Sequence, residues 1–196
     1  AQSFPGTIPF SEAIGFVLDI DDEKDVDMAF YVTAHEVAHQ WFGMQIEAAN
    51  VQGRNFVLET LSQYGAMMVL KKKYGKEKLI QFLENELETY QQKRKKVIKE
   101  PSLAFVEAQD FVYYNKGAIA MYNLQEMIGE EHVNLAIQRF LRDWNTKNGL
   151  LKTQTKRYPT SKDVLDYFEA VTPNDLLDAV NELFETTNEI SILNKE

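Results

Sequence analysis

Between Val26 and Phe42 the chain repeats apolar residues at three- and four-residue steps, Phe30, Ala34, Val37, Ala38 and Trp41, and the run stops at Gly43. That period predicts an α-helix from Val26 or Asp27 to about Phe42. A helix with so much apolar surface belongs in the interior. His35, Glu36, His39 and Gln40 lie on it all the same, and buried polar groups persist only where something satisfies them. Any fold for this chain must supply that partner.

Histidines four apart on a helix sit about 40° apart in azimuth and one turn along, so the two imidazoles of His35 and His39 can converge on one ion. Glu36 projects beside them, near enough to act on a water there but poorly placed to be a ligand. His-Glu-x-x-His is the arrangement of a zinc peptidase, in which the glutamate is the general base. The third histidine, His132, follows Glu130 and Glu131 at a helix start and reads as a surface residue.

A catalytic zinc site takes three protein ligands and leaves a position for water. A His-x-x-Gly-x-x-His continuation is excluded, because Phe42 and Gln45 stand where its Gly and His belong. A glutamate from the next helix is the remaining solution. Glu59, nineteen intervening residues beyond His39 in an apolar stretch, is the better placed candidate; Glu47 competes but follows Gly43 too closely to lie on a facing helix.

The rest of the chain reads as helices joined by short turns. A second helix is expected from Asn55 to Tyr74, stopped by Gly75, and a charged third from Lys76 to about Lys99, before Pro101. The Lys93 to Lys96 run on it reads as a solvated face paired with glutamates. A fourth helix runs from Asn115 to Ile128 and a fifth from Glu130 to Thr146. Thr160-Ser161-Lys162-Asp163 and Thr172-Pro173-Asn174-Asp175 each set a hydroxyl three residues before an acid, which predicts two short capped helices. Residues 1 to 25 hold Pro5, Gly6, Pro9 and Gly15 among Ile8, Phe10, Ile14, Phe16, Val17 and Leu18, followed by acids from Asp19 to Asp27. They read as short strands joined by turns and a solvated loop. The expected whole is a single domain over 1–196: strands and turns in 1–25, metal-site helices in 26–129 and C-terminal helices in 130–196.

With 30 acidic against 21 basic side chains the net charge is −9, which disfavours nucleic acid and anionic membranes as partners. The chain has no cysteine, so a metal must take nitrogen and oxygen ligands. No apolar stretch reaches the length of a membrane span.

His35-Glu36-Val37-Ala38-His39-Gln40-Trp41-Phe42-Gly43 resembles the aminopeptidase N and leukotriene hydrolase family of gluzincins, whose zinc helix continues Gln-Trp-Phe-Gly. The spacing to Glu59 departs by one residue from the eighteen usual there and is similar to thermolysin. Phe4-Pro5-Gly6-Thr7-Ile8-Pro9-Phe10-Ser11-Glu12, Val51-Gln52-Gly53 and Glu59-Thr60-Leu61-Ser62-Gln63-Tyr64 look closest to a bacterial branch fused to an ABC-transporter permease. The resemblance implies a thermolysin-like zincin domain, mainly α with a small N-terminal β element, one zinc ion held by His35, His39 and Glu59, and a peptide substrate. It also implies a longer parent chain tethered through a permease to the bacterial inner membrane.

Two further roles follow from the resemblance. The family stabilises its tetrahedral intermediate with a Tyr shortly before a Lys-Gly pair, which Tyr114-Asn115-Lys116-Gly117 matches, with Tyr113 as the fallback. It reads the substrate's free amine with the Glu of a Gly-x-Met-Glu-Asn strand. Glu12 in Ser11-Glu12-Ala13 occupies a comparable place, twenty-three positions before His35, but that Gly, Met and Asn are missing, and an exposed acid at a strand end is the alternative. The expected activity is aminopeptidase, with zinc endopeptidase or oligopeptidase, or a non-catalytic transporter-associated peptide-binding domain, as alternatives.

Overall fold

The computed structural model describes residues 1–21, 24–145 and 157–193. Helix α1 spans Met28–Ala38, its first turn capped by Asp27, whose carboxylate accepts from the Phe30 amide at 2.8 Å. Helix α2 spans Leu61–Arg94, and Gly75 within it has φ 88° and ψ 173°, so its arms 61–74 and 76–94 meet at a joint. Helix α3 is Gly117–Ile128, α4 Glu130–Trp144, α5 Ser161–Glu169 and α6 Leu177–Glu185. Two wider, π-helical turns, Phe56–Thr60 and Phe111–Lys116, lead into α2 and α3.

Ten of the twelve residues of α3 are buried, which makes it the central helix. It packs against α2, α4 and α6, while α1 lies along α2. Ile119, Met121 and Leu124 are fully buried there, each such side chain contributing about 1.5–3 kcal/mol by leaving water. Its buried polar residues are satisfied: Asn123 donates to Ser191 O at 2.7 Å and accepts from the Leu193 amide at 2.9 Å, and Gln125 accepts from the Tyr64 hydroxyl at 3.0 Å. Asn123 thereby ties the C-terminal segment to the core.

The expected N-terminal β element is absent, and no strand occurs among the described residues. Phe4 and Thr7 exchange backbone bonds of 2.9 and 3.1 Å across one tight turn, and the Gln2 amide donates to Pro9 O at 3.2 Å. Pro5 and Pro9 have no amide to offer a ladder, and among the described residues no second segment pairs with this one. The apolar run that read as a strand instead forms one π-helical turn, Ala13–Val17, with Phe16 84% and Val17 74% exposed.

Other boundaries shift by smaller amounts. The third expected helix ends at Arg94, not near Lys99, where the Arg94 guanidinium turns to Glu100 at 2.7 Å and to Glu189. The fifth ends at Trp144; the expected end at Thr146 and acids 22–23 lie outside the described residues. Thr160 and Asp163 form the expected capping box. Thr172 does not cap: its hydroxyl donates back to Phe168 O at 2.8 Å, so the following residues form a 3-10 turn, Asn174–Leu176, before α6.

The two π-helical turns are held tightly against each other. Thr60 Oγ1 donates to Tyr113 O at 2.7 Å, and a Cβ on Gly117 would stand 2.7 Å from Thr60 Oγ1 and 2.8 Å from its Cγ2. Gly117→Ala is therefore expected to cost about 1–3 kcal/mol, as overpacking does, seen as a lowered denaturant midpoint with an unchanged slope. A midpoint equal to wild type would mean that the two turns do not need this close approach.

Candidate metal centre

His35 sits in the last turn of α1 and His39 at its C-cap, one helical turn on. Their Nε2 atoms face each other at 3.0 Å. Glu59, carried by the Phe56–Thr60 turn, brings Oε2 to 3.3 Å from His35 Nε2 and 3.2 Å from His39 Nε2. Among the described residues this is the one group of three His, Asp or Glu side chains gathered as metal ligands would be. Glu47, the competing acid, lines a different hollow with Trp144 and Arg157. His132 is also elsewhere, its Nδ1 bonded to Ile128 O at 2.8 Å.

The four residues after the His pair explain how His39 is oriented. Gly43 has φ 124°, a conformation side chains resist, and there the chain reverses, so that the Gly43 amide donates to Ile46 O at 2.8 Å. The reversal turns the Phe42 carbonyl back onto His39 Nδ1 at 3.0 Å, with Phe42 itself buried. Since a carbonyl only accepts, Nδ1 carries the proton and Nε2 is left as a bare donor atom for a cation. Ser62 Oγ lies 3.1 Å from the same Nδ1 and donates to Leu58 O at 2.8 Å. Trp41, the last apolar residue of the periodic run, is 44% exposed.

Burial raises the Glu59 carboxyl, but hydrogen bonds and charge from His35 and His39 outweigh it and hold the group well below the usual carboxylate range. Burial acts on His39 in the opposite sense, favouring the neutral ring, and is outweighed by Glu59, the Phe42 carbonyl and Glu36, so its affinity for a proton rises. The site thus attracts positive charge. Bonds of about 2.0–2.1 Å in a tetrahedron separate ligand atoms by about 3.4 Å, close to the 3.0–3.3 Å seen among these three. A two-histidine, one-glutamate set of this geometry fits zinc. One detail of the fit is incomplete, since the buried His35 Nδ1 has no hydrogen-bond partner.

His35, His39 and Glu59 line an open cavity of about 420 Å³, together with Glu36, Tyr114, Ser3, Phe42, Arg54 and Leu58 among others. Glu36 is buried, at 6% exposure. The Tyr114 ring packs edge-on against His35 with centroids 5.8 Å apart, and burial, then the charge and hydrogen bond of Glu59, raise its phenol above the ordinary value. It stays protonated and able to donate. Tyr113 does not line the cavity; its ring packs on Tyr114 and its carbonyl receives Thr60. Buried Lys116, two residues on, anchors this turn by donating to Glu100 at 2.7 Å and to Asn188 O at 2.9 Å.

The sequence model of the peptidase family M1 domain matches residues 8–164, which is 157 of the 196 residues. The chain belongs to peptidase family M1. It is therefore a metallopeptidase, and peptidases of this family are zinc enzymes, in agreement with the donor set. No curated protein and no solved structure matches the chain.

The M1 site departs from the sequence reading at its rim. Glu12 is exposed, stands just before the Ala13–Val17 turn without capping it, and is not among the cavity-lining residues. Residues 1–3 line the cavity instead, fastened by Gln40, which donates to Ser3 Oγ at 2.7 Å and Phe4 O at 3.0 Å and accepts from the Gly6 amide at 3.2 Å. Gln63 accepts from the Tyr31 hydroxyl at 2.7 Å. Ser62 and Arg54 were not singled out from sequence. Ser62 carries a usable signal, lying three positions after Glu59 and hence on the same face of a helix.

Proposed function

We propose that this M1 peptidase hydrolyses peptide bonds at a zinc ion held by His35, His39 and Glu59. The observation that carries the reading is the convergence of those three ligand atoms in one cavity with Glu36 and Tyr114. When bound there, zinc supplies Lewis acidity toward a carbonyl oxygen and makes water easier to deprotonate. Glu36, beside the ligands but not one of them, takes the proton from the attacking water and delivers it to the departing amine. Tyr114, kept protonated by its surroundings, donates a hydrogen bond to the oxyanion as the carbonyl becomes tetrahedral.

Tyr114→Phe is expected to lower kcat about 100-fold or more while changing KM little, because the phenol's bond strengthens only as charge develops. A kcat within threefold of wild type would remove Tyr114 from the chemistry.

An aminopeptidase needs an anion beside the metal to hold the substrate's ammonium. Among the described residues lining the cavity the acids are Glu36 and Glu59, and both have other work. We therefore favour cleavage that does not depend on a free N-terminus, as an oligopeptidase or endopeptidase. The aminopeptidase reading rests on the likeness of the zinc helix to aminopeptidase N and on Glu12, whose turn packs beside α1. A digest of mixed peptides, read by mass spectrometry, separates them. Internal cuts, and equal rates on N-blocked and free peptides, support the first; stepwise loss from free N-termini alone supports the second. A permease partner belongs to the same proposal. No helix among the described residues is long and apolar enough to cross a membrane, so such a tie would be tested by co-purification from membranes.

A further inference from the structure

Arg54 stands on the wall of the metal cavity, at the start of the helical turn that carries Glu59. It shares a helix face with Leu58, four residues on, which lines the same wall. Its guanidinium has no hydrogen bond or ion pair among the described residues. Arg94, Arg142 and Arg157, by contrast, each engage a carboxylate. The cavity's two acids are committed to the metal and to proton transfer, and Arg54 is the one cationic side chain among its lining residues.

Its mounting is rigid. The Gly53 amide donates to Val106 O at 2.9 Å, and a Cβ on Gly53 would meet Ala104 O at 2.2 Å and Ser161 Oγ at 2.4 Å. The backbone under Arg54 is thus wedged against two other segments. Glu59 is five residue steps beyond Arg54, roughly 7 Å along the axis, and an extended peptide advances about 3.3–3.6 Å per residue. A group held by Arg54 therefore lies within about two residues of the bond held at the metal.

We propose that Arg54 is a specificity-determining residue that binds a carboxylate of the substrate near the scissile bond. This rests on the peptidase reading of the metal centre and adds the class of peptide it takes. A guanidinium offers paired donors that match a carboxylate. That carboxylate is either an acidic side chain or the C-terminus of a short peptide.

The test is binding to the zinc-loaded Glu36→Gln protein, with Arg54 intact or replaced by Gln, followed by fluorescence anisotropy. Three labelled peptides differ at one point each: a Gln side chain with an amidated C-terminus, Glu in its place, or Gln with a free C-terminus. At least one carboxylate form is expected to bind about tenfold or more tightly than the neutral peptide, and Arg54→Gln to remove that advantage. Preference for the Glu peptide assigns the side chain; preference for the free acid assigns the C-terminus. Arg54→Glu is expected to favour a Lys-bearing peptide instead. Equal binding of all three, or a preference that survives Arg54→Gln, overturns the proposal. A wild-type protein that binds with this pattern yet cleaves nothing would sink the peptidase reading and leave Arg54's role intact.

Discussion

Glu36→Gln is expected to keep one zinc per chain and to lower kcat between about 100- and 10,000-fold, the range that a general base contributes. The amide has the shape of the carboxylate and fits the same buried position, so the fold and the ligands stay in place. What it loses is the ability to accept a proton and return it. The loss should fall on kcat and kcat/KM together, since the interaction is made only on the way to the transition state. Metal analysis and steady-state rates on the same preparation check it. Wild-type turnover in a zinc-replete Glu36→Gln protein would exclude the mechanism; loss of the metal would show Glu36 to be a ligand instead.

Removing a ligand should act through the metal itself. Glu59→Ala and His39→Ala are each expected to lose bound zinc after dialysis, and to lose the stabilisation that zinc gives the wild type. A ligand at about 1,000 times its Kd stabilises by about 4 kcal/mol, so a chelator should lower the wild-type melting temperature by several degrees. The same chelator should leave the melting temperatures of the variants unmoved. Glu47→Ala is the matched control, because Glu47 lies in a separate hollow. If Glu47→Ala loses zinc and Glu59→Ala keeps it, the ligand set is misassigned.

The metal helix was legible because its information is local. His35, Glu36 and His39 declare a site by four-residue spacing in an apolar helix, and Gly43 marks the turn. Choosing Glu59 over Glu47 needed only the rule that the third ligand comes from a facing element. Tyr114 is different: a tyrosine in a row of aromatic residues has no signature, and only likeness to a family picked it out. Ser62 and Arg54 are brought to the site by how the turn before α2 packs, which composition does not reveal. The N-terminal strands were misread because apolar residues among prolines and glycines resemble an edge strand. A strand exists only with a partner, and here Phe16 and Val17 face outward.

His35, His39 and Glu59 fall within 25 consecutive positions, whereas Tyr114 lies 55 further along. Closing a loop of n residues costs entropy that rises with ln n, about 0.6 kcal/mol per doubling. On that scale the 20 residues from His39 to Glu59 close more readily than the 55 from Glu59 to Tyr114. On loop length alone, His35, His39 and Glu59 are the cheaper set to bring together. Bringing Tyr114 to them needs the longer closure, made where Thr60 docks against Tyr113 and Gly117.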